Sequence, residues 1–164
     1  MAASILRLQE VSKSFGGLRA VNRVSFDVAE GEIVGLIGPN GAGKTTLFNL
    51  ISGYDPPTEG SISFEGREVS GRKPYELAAV GIGRTFQIVK PFAGLSVLDN
   101  ITVASYLRYP AQRDARRKAR EVLEFLGMGD RAEMPAAGLT LSGRKRLEIG
   151  KALALEPKLI LLDE

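Results

Sequence analysis

Cysteine and histidine are both missing from the 164 residues of this chain. Without cysteine there are no disulfides and no thiolate metal sites, which fits a reducing compartment. Long apolar runs are missing too, since nowhere does one approach the roughly 18 residues of a membrane-crossing helix. At the N-terminus Ile5-Leu6 is followed at once by Arg7, so there is no apolar core of a signal peptide. The sequence therefore reads as a soluble chain whose membrane role must come through a partner. A strong excess of one charge is absent as well. The net charge is +3, and six of the 22 basic residues fall between Arg108 and Arg120, the pattern of a solvated helix face. That excess gives no indication of nucleic acid, which would call for a basic stripe. What is present is ordinary for a globular protein: 44% apolar and 25% charged residues, enough to bury one core with a small appended subdomain.

Alternation predicts strands at Ile5–Val11 and Val24–Val28, and the more continuous apolar run Glu32–Ile37 predicts a strand covered on both faces. A glycine-rich loop follows, and then a helix over Thr45–Ser52 closed by Gly53. Asp55–Gly60 is a turn cluster, Ser61–Phe64 and the residues after Gly66 form a short hairpin, and Gly81–Gln87 is a further strand. Beyond Phe92 the period becomes helical. Ser96 with Asp99 three residues later opens a helix running to about Leu107. Ala115, Ala119, Val122, Leu123 and Leu126 share a face of the next helix, which Gly127 caps. Ser142 opens a third helix, with Leu147, Gly150 and Leu153-Ala154 buried, and Pro157 marks its end.

The run Gly38-Pro39-Asn40-Gly41-Ala42-Gly43-Lys44-Thr45 meets every fixed position of G-x-x-x-x-G-K-[ST], after a buried strand and before a helix. Glycines let backbone N–H groups approach phosphate oxygens without a Cβ in the way, and the helix N-terminus adds positive charge. Lys44 would reach the β- and γ-phosphates, and Thr45 would ligate Mg²⁺. Near the C-terminus, four large aliphatics from Leu159 to Leu162 lead into Asp163-Glu164. Paired with a phosphate loop, Asp163 can hold the magnesium shell and Glu164 can take a proton from the attacking water. Alone, Leu141-Ser142-Gly143 is only a helix cap, Phe15 a core or edge aromatic and Gln87 a polar residue at a strand end.

Their order changes this. Over the whole chain the sequence resembles the nucleotide-binding subunit of ABC transporters. Phe15 falls at the aromatic A-loop, residues 38–45 at Walker A, Gln87 at the Q-loop and Leu141-Ser142-Gly143 at the signature. Residues 159–163 then fall at Walker B, with Glu164 after it. The resemblance implies an α/β fold: a P-loop NTPase (RecA-like) core with an antiparallel β subdomain and an inserted α-helical subdomain, its C-terminal strands missing. It places the ATP-binding core at 1–89 and 158–164 and the helical subdomain at 90–157. The finer resemblance is to importers of branched-chain amino acids and similar polar solutes. It is carried by Phe15-Gly16-Gly17-Leu18, by Gly83–Phe92 and by Ser142-Gly143-Arg144-Lys145-Arg146-Leu147-Glu148.

By the same resemblance the cofactors are ATP and Mg²⁺. The nucleotide would be held by Phe15, stacked on adenine, by Gly38, Pro39, Asn40, Gly41, Ala42, Gly43, Lys44, Thr45 and Thr46, and by Ser142 and Gly143 reaching across a dimer. Glu164, Lys44 and Gln87 would be catalytic, and Thr45, Gln87 and Asp163 would hold the metal. The implied partners are a second ATP-binding subunit, transmembrane permease subunits and, indirectly, a solute-binding protein, at the cytoplasmic face of the membrane. Two departures stand out. Arg144-Lys145 replaces the usual Gly-Gln of the signature, and the family's switch histidine has no counterpart. The chain is thus expected to be a C-terminally truncated form of a longer protein. The family's next strand inserts between those of Walker A and Walker B, and without it a gap with exposed apolar faces is expected. Two alternatives remain open: a soluble ABC ATPase acting on nucleic acid or the ribosome, and an inactive nucleotide-binding fragment.

Overall fold

Residues 4–87 and 91–163 are described by the computed structural model, and they fall into two compact units, Met1–Leu77 and Ala78–Glu164. In the first unit, alternation makes β1 (Ser4–Phe15) and β2 (Leu18–Ala29) a long antiparallel pair. Leu6 and Leu8 point into the core while Arg7 and Gln9 face outward. A bulge then interrupts the pleat: Glu10 and Arg23 adopt φ 49° and 47°, and the register shifts between Leu8 and Val11. Past it, Val11, Ser12 and Lys13 are all buried. β3 (Glu59–Phe64) pairs on the other side of β1, and β4 (Arg67–Glu68) completes a sheet of order β2-β1-β3-β4. Gly60 passes under the bulge so closely that a Cβ there would lie 2.4 Å from the carbonyl oxygens of Gln9 and Glu10. The helix α1 (Lys44–Ile51) buries Leu47, Leu50 and Ile51 and ends with Gly53 at φ 78°.

The segment Glu32–Ile37 differs from its expectation. It runs without regular secondary structure, and among the described residues it has no strand partner. Ile33 and Ile37 are 98% and 95% exposed. An apolar run becomes a buried strand only when neighbours satisfy its amides and cover its faces. Among the described residues none is in place for this segment. A second difference is a short helix, α2 (Pro74–Val80), in a stretch with no expected element.

In the second unit β5 (Ile82–Arg84) and β6 (Leu159–Leu161) pair in parallel, Ile82 against Leu159 and Arg84 against Leu161. Three helices carry the core: α3 (Val97–Ser105), α4 (Gln112–Phe125) and α5 (Leu141–Leu153). Val97, Leu98, Ile101, Ala119, Leu123, Met128 and Leu147 pack together there. The Ser96 hydroxyl accepts from the Asp99 N–H at 2.9 Å, so α3 starts where the sequence predicts, and it ends two residues early. Gly150 allows α5 close to α3, since a Cβ would stand 2.8 Å from Ile101 Cδ1. Arg108 joins two helix ends by donating to the carbonyls of Ala79 and Leu155, each at 2.9 Å. Glu156 accepts from Tyr109 and pairs with Lys118 at 2.7 Å, and these two partners hold its carboxyl below the usual range.

Candidate functional site

The phosphate loop follows from its backbone. Gly41 and Gly43 adopt φ 82° and 84°, a region that side chains with a Cβ rarely enter. Between them the Ala42 N–H closes a turn on the Pro39 carbonyl at 3.2 Å. Gly43 stands at the N-cap of α1 with no side-chain cap, and the first turn carries no acidic residue. The positive end of this helix is therefore uncompensated, which suits phosphate. Lys44 is half-buried and donates to the carbonyls of Gly38 at 2.7 Å and Pro39 at 2.9 Å. Its ammonium is thus held at the loop it would serve, and Thr45 beside it is exposed.

Gly43 also abuts β2. A Cβ on it would meet the Ala20 carbonyl oxygen at 2.4 Å and Val21 at 3.4 Å. Ala20 lies just inside the β1–β2 turn at which Phe15 pairs with Leu18. The phosphate loop and the hairpin carrying Phe15 are therefore neighbours. Phe15 is 47% exposed, with the Lys13 ammonium 5.0 Å from the centre of its ring.

In the second unit Asp163 is buried. Its Oδ2 accepts from Arg84 Nη2 at 3.0 Å, and the side chains of the pair are only 6% and 8% exposed. Its N–H donates to Thr85 Oγ1 at 3.2 Å, while the Thr85 N–H donates to the Leu161 carbonyl at 3.0 Å. The guanidinium of Arg84 also lies 5.1 Å from the Phe86 ring. β5 thus holds the end of β6 at both backbone and side chain. In the sequence Arg84 and Thr85 belong to the Gly83–Phe92 run that carries the finer resemblance and have no site role; the signal for one is their position at the end of a strand that pairs in register with the one leading to Asp163. Gln87 is exposed just past β5, and Glu164 lies outside the described residues, as do 88–90 of the Gly83–Phe92 run.

The signature helix starts earlier than expected. Thr140, not Ser142, is the N-cap of α5, its hydroxyl accepting from the Gly143 N–H at 3.2 Å. Thr and Ser are both good caps, and the extended backbone at Thr140 (φ −62°, ψ 167°) decides between them. Ser142 is left exposed within the first turn. Gly143 is buried, and a Cβ there would lie 3.1 Å from the Leu139 side chain. Arg144 turns back onto the carbonyls of Leu139 and Ala137, both at 3.0 Å, which gives this unusual signature residue a local role.

Each unit carries donors of its own. On the first unit the uncapped helix with its lysine suits a polyphosphate, and Thr45 offers a hydroxyl oxygen of the kind a hard cation takes. On the second, taken by itself, the Asp163 carboxylate is a hard oxygen donor with one oxygen already engaged by Arg84. No cluster of three or more acidic, histidine or cysteine ligands exists among the described residues.

A glycine loop at the N-terminus of a helix, with a strand ending in a buried aspartate, defines a P-loop nucleotide-binding protein. Residues 21–164 match the family of ABC transporters, and the chain belongs to that family. It is 37% identical to LivG of Salmonella typhimurium, a high-affinity branched-chain amino acid transport ATP-binding protein, covering all of this chain and 70% of that one. With BraF of Pseudomonas aeruginosa the identity is 36%, again over 100% of this chain and 70% of the relative. A probable LivG of Archaeoglobus fulgidus is 37% identical, over 98% of this chain and 67% of that protein. Among solved structures, a nucleotide-free ATP-binding cassette of an ABC transporter superposes with a TM-score of 0.88 at 33% identity, covering 99% of this chain and 69% of its own. A dimeric post-hydrolysis cassette bound to ADP and Pi gives 0.86 at 28%, covering 97% and 73%. The protein is accordingly a nucleotide-binding ATPase subunit of an ABC transporter. No helix among the described residues is long and apolar enough to cross a membrane.

Proposed function

We propose that this subunit powers the import of branched-chain amino acids by hydrolysing ATP in a dimer docked on permease subunits at the cytoplasmic face of the membrane. A solute-binding protein would deliver the substrate. The observation that carries the reading is the uncapped N-terminus of α1, with Lys44 on the Gly38 and Pro39 carbonyls and Gly43 pressed on β2 beside the hairpin of Phe15. The loop from Gly38 to Thr46 would bind the phosphates, with Lys44 exchanging its carbonyl partners for β- and γ-phosphate oxygens. Phe15 would take the adenine. A partner subunit's own signature residues, the counterparts of Ser142 and Gly143, would close on the γ-phosphate.

In this reading Glu164 accepts a proton from water as its oxygen attacks the γ-phosphorus, and the bond to the β–γ bridging oxygen breaks to leave ADP and phosphate. Gln87 orients that water. Thr45, Gln87 and Asp163 would hold Mg²⁺, which neutralises charge on the phosphates when bound. The core would comprise 1–89 and 158–164, and the helical subdomain 90–157. Lys44→Ala should cut ATP turnover at least about 100-fold, because it removes the cation that stabilises transferring phosphate. Leucine-stimulated turnover with the permease should disappear with it. Co-purification with RNA in place of a permease would overturn the transport reading.

A further inference from the structure

Lys13 is 9% exposed, yet among the described residues its ammonium makes no ion pair. What it has is the Pro56 carbonyl, 2.7 Å away, and the face of Phe15, 5.0 Å away. A buried cation with one neutral acceptor costs stability that an apolar residue of the same length would not. Its location suggests what offsets this. Lys13 and Phe15 are two apart on β1 and so share a face. The β1–β2 register shifts at Lys13 and again before Ser14, so pairing alone does not fix the end of the hairpin. The turn after α1 supplies the missing constraint. The Thr58 N–H donates to the Ser12 carbonyl at 2.8 Å, the Ser14 N–H to Thr58 Oγ1 at 3.1 Å, and Lys13 to Pro56. The same turn is bound to α1, with the Tyr54 N–H on the Asn49 carbonyl at 2.9 Å and Asn49 Nδ2 on Asp55 at 3.0 Å.

We propose that Lys13 is a positioning residue for adenine recognition. Its ammonium holds one face of the Phe15 ring and ties that ring, through the 54–58 turn, to the helix that opens at the phosphate loop. The other face of the ring stays available to the base, and a cation beneath it draws π-density away from the side that meets the electron-rich purine. This rests on the reading of Phe15 as the adenine platform, so the experiment separates the two.

ADP and inorganic tripolyphosphate are titrated calorimetrically against the parent chain, Phe15→Ala, Lys13→Met and Lys13→Arg. Lys13→Met should weaken ADP at least about threefold, the lower end of what a cation–π contact is worth, and leave tripolyphosphate unchanged. Lys13→Arg, which keeps the cation, should bind ADP as the parent does. Phe15→Ala should weaken ADP further and make a second change at Lys13 silent. Parental ADP affinity in Lys13→Met, or an equal loss for tripolyphosphate, would overturn the proposal. An unaffected Phe15→Ala would instead overturn the platform reading. If Lys13→Met does not fold, Lys13→Gln keeps a donor for Pro56 without the charge, and the same outcomes decide.

Discussion

Gly43 is where one missing methyl group is worth most. Its φ of 84° already excludes most side chains, and a Cβ would overlap the Ala20 carbonyl at 2.4 Å. Because that oxygen belongs to backbone of β2, it cannot swing aside as a flexible side chain would. Gly43→Ala should therefore cost about 2 kcal/mol or more in stability, combining backbone strain with overpacking. The loop would shift as well, and ADP affinity should fall at least about tenfold. Thermal unfolding and ADP titration check the two effects. Gly41 has nearly the same φ but open space around its Cβ position, so strain alone acts there. Gly41→Ala should be the milder change in the same assays. The contrast shows what the motif pattern leaves unsaid: both glycines are fixed by spacing or by turn geometry, but only the fold reveals which one touches a neighbouring strand.

At the scale of elements, the start of α5 separates stability from function. Thr140 caps the helix, whereas Ser142 is exposed in its first turn. Thr140→Ala should cost about 1 kcal/mol, the usual worth of an N-cap, while Ser142→Ala should stay within about 0.5 kcal/mol of the parent. Urea unfolding reads both. On the proposed function Ser142→Ala should nonetheless depress ATP turnover in the dimer. From sequence alone the cap falls at Ser142, because both residues have capping chemistry and only the backbone angles choose. Elsewhere local pattern is enough: the alternation of β1 holds as far as Gln9, where the bulge at Glu10 breaks it, and the Ser96–Asp99 start of α3 and the one-sided face of α4 form as expected. Glu32–Ile37 did not, since a two-face-buried strand is a property of its neighbours as much as of its own residues. α2 escaped notice because seven residues give too little periodicity to register. The clamp of Arg84 on Asp163 was invisible for a further reason, as it joins residues 79 positions apart through parallel pairing.

On the scale of the whole molecule, the chain spans about 70% of the length of LivG relatives and presents an apolar segment with no described cover. Ile33 and Ile37 expose nearly all their surface, and Val34 and Leu36 expose 49% and 41%. An extended apolar run with unpaired backbone groups is a template for pairing with another chain. The 164-residue chain should therefore self-associate with rising concentration, and that association should be salt-insensitive, because its driving force is apolar burial and not charge. Replacing both Ile33 and Ile37 with Thr keeps β-branching but removes much of the apolar surface. The double variant should remain monomeric over a wider concentration range by sedimentation velocity. Its unfolding free energy should change by less than about 0.5 kcal/mol, as expected for exposed positions. A loss of about 2 kcal/mol or more would mean instead that these isoleucines are packed in the folded chain. The segment leads straight into Gly38, but both replaced side chains are exposed, so the same variant should keep the phosphate loop intact, and tripolyphosphate affinity equal to the parent's would show that loop and apolar run act independently.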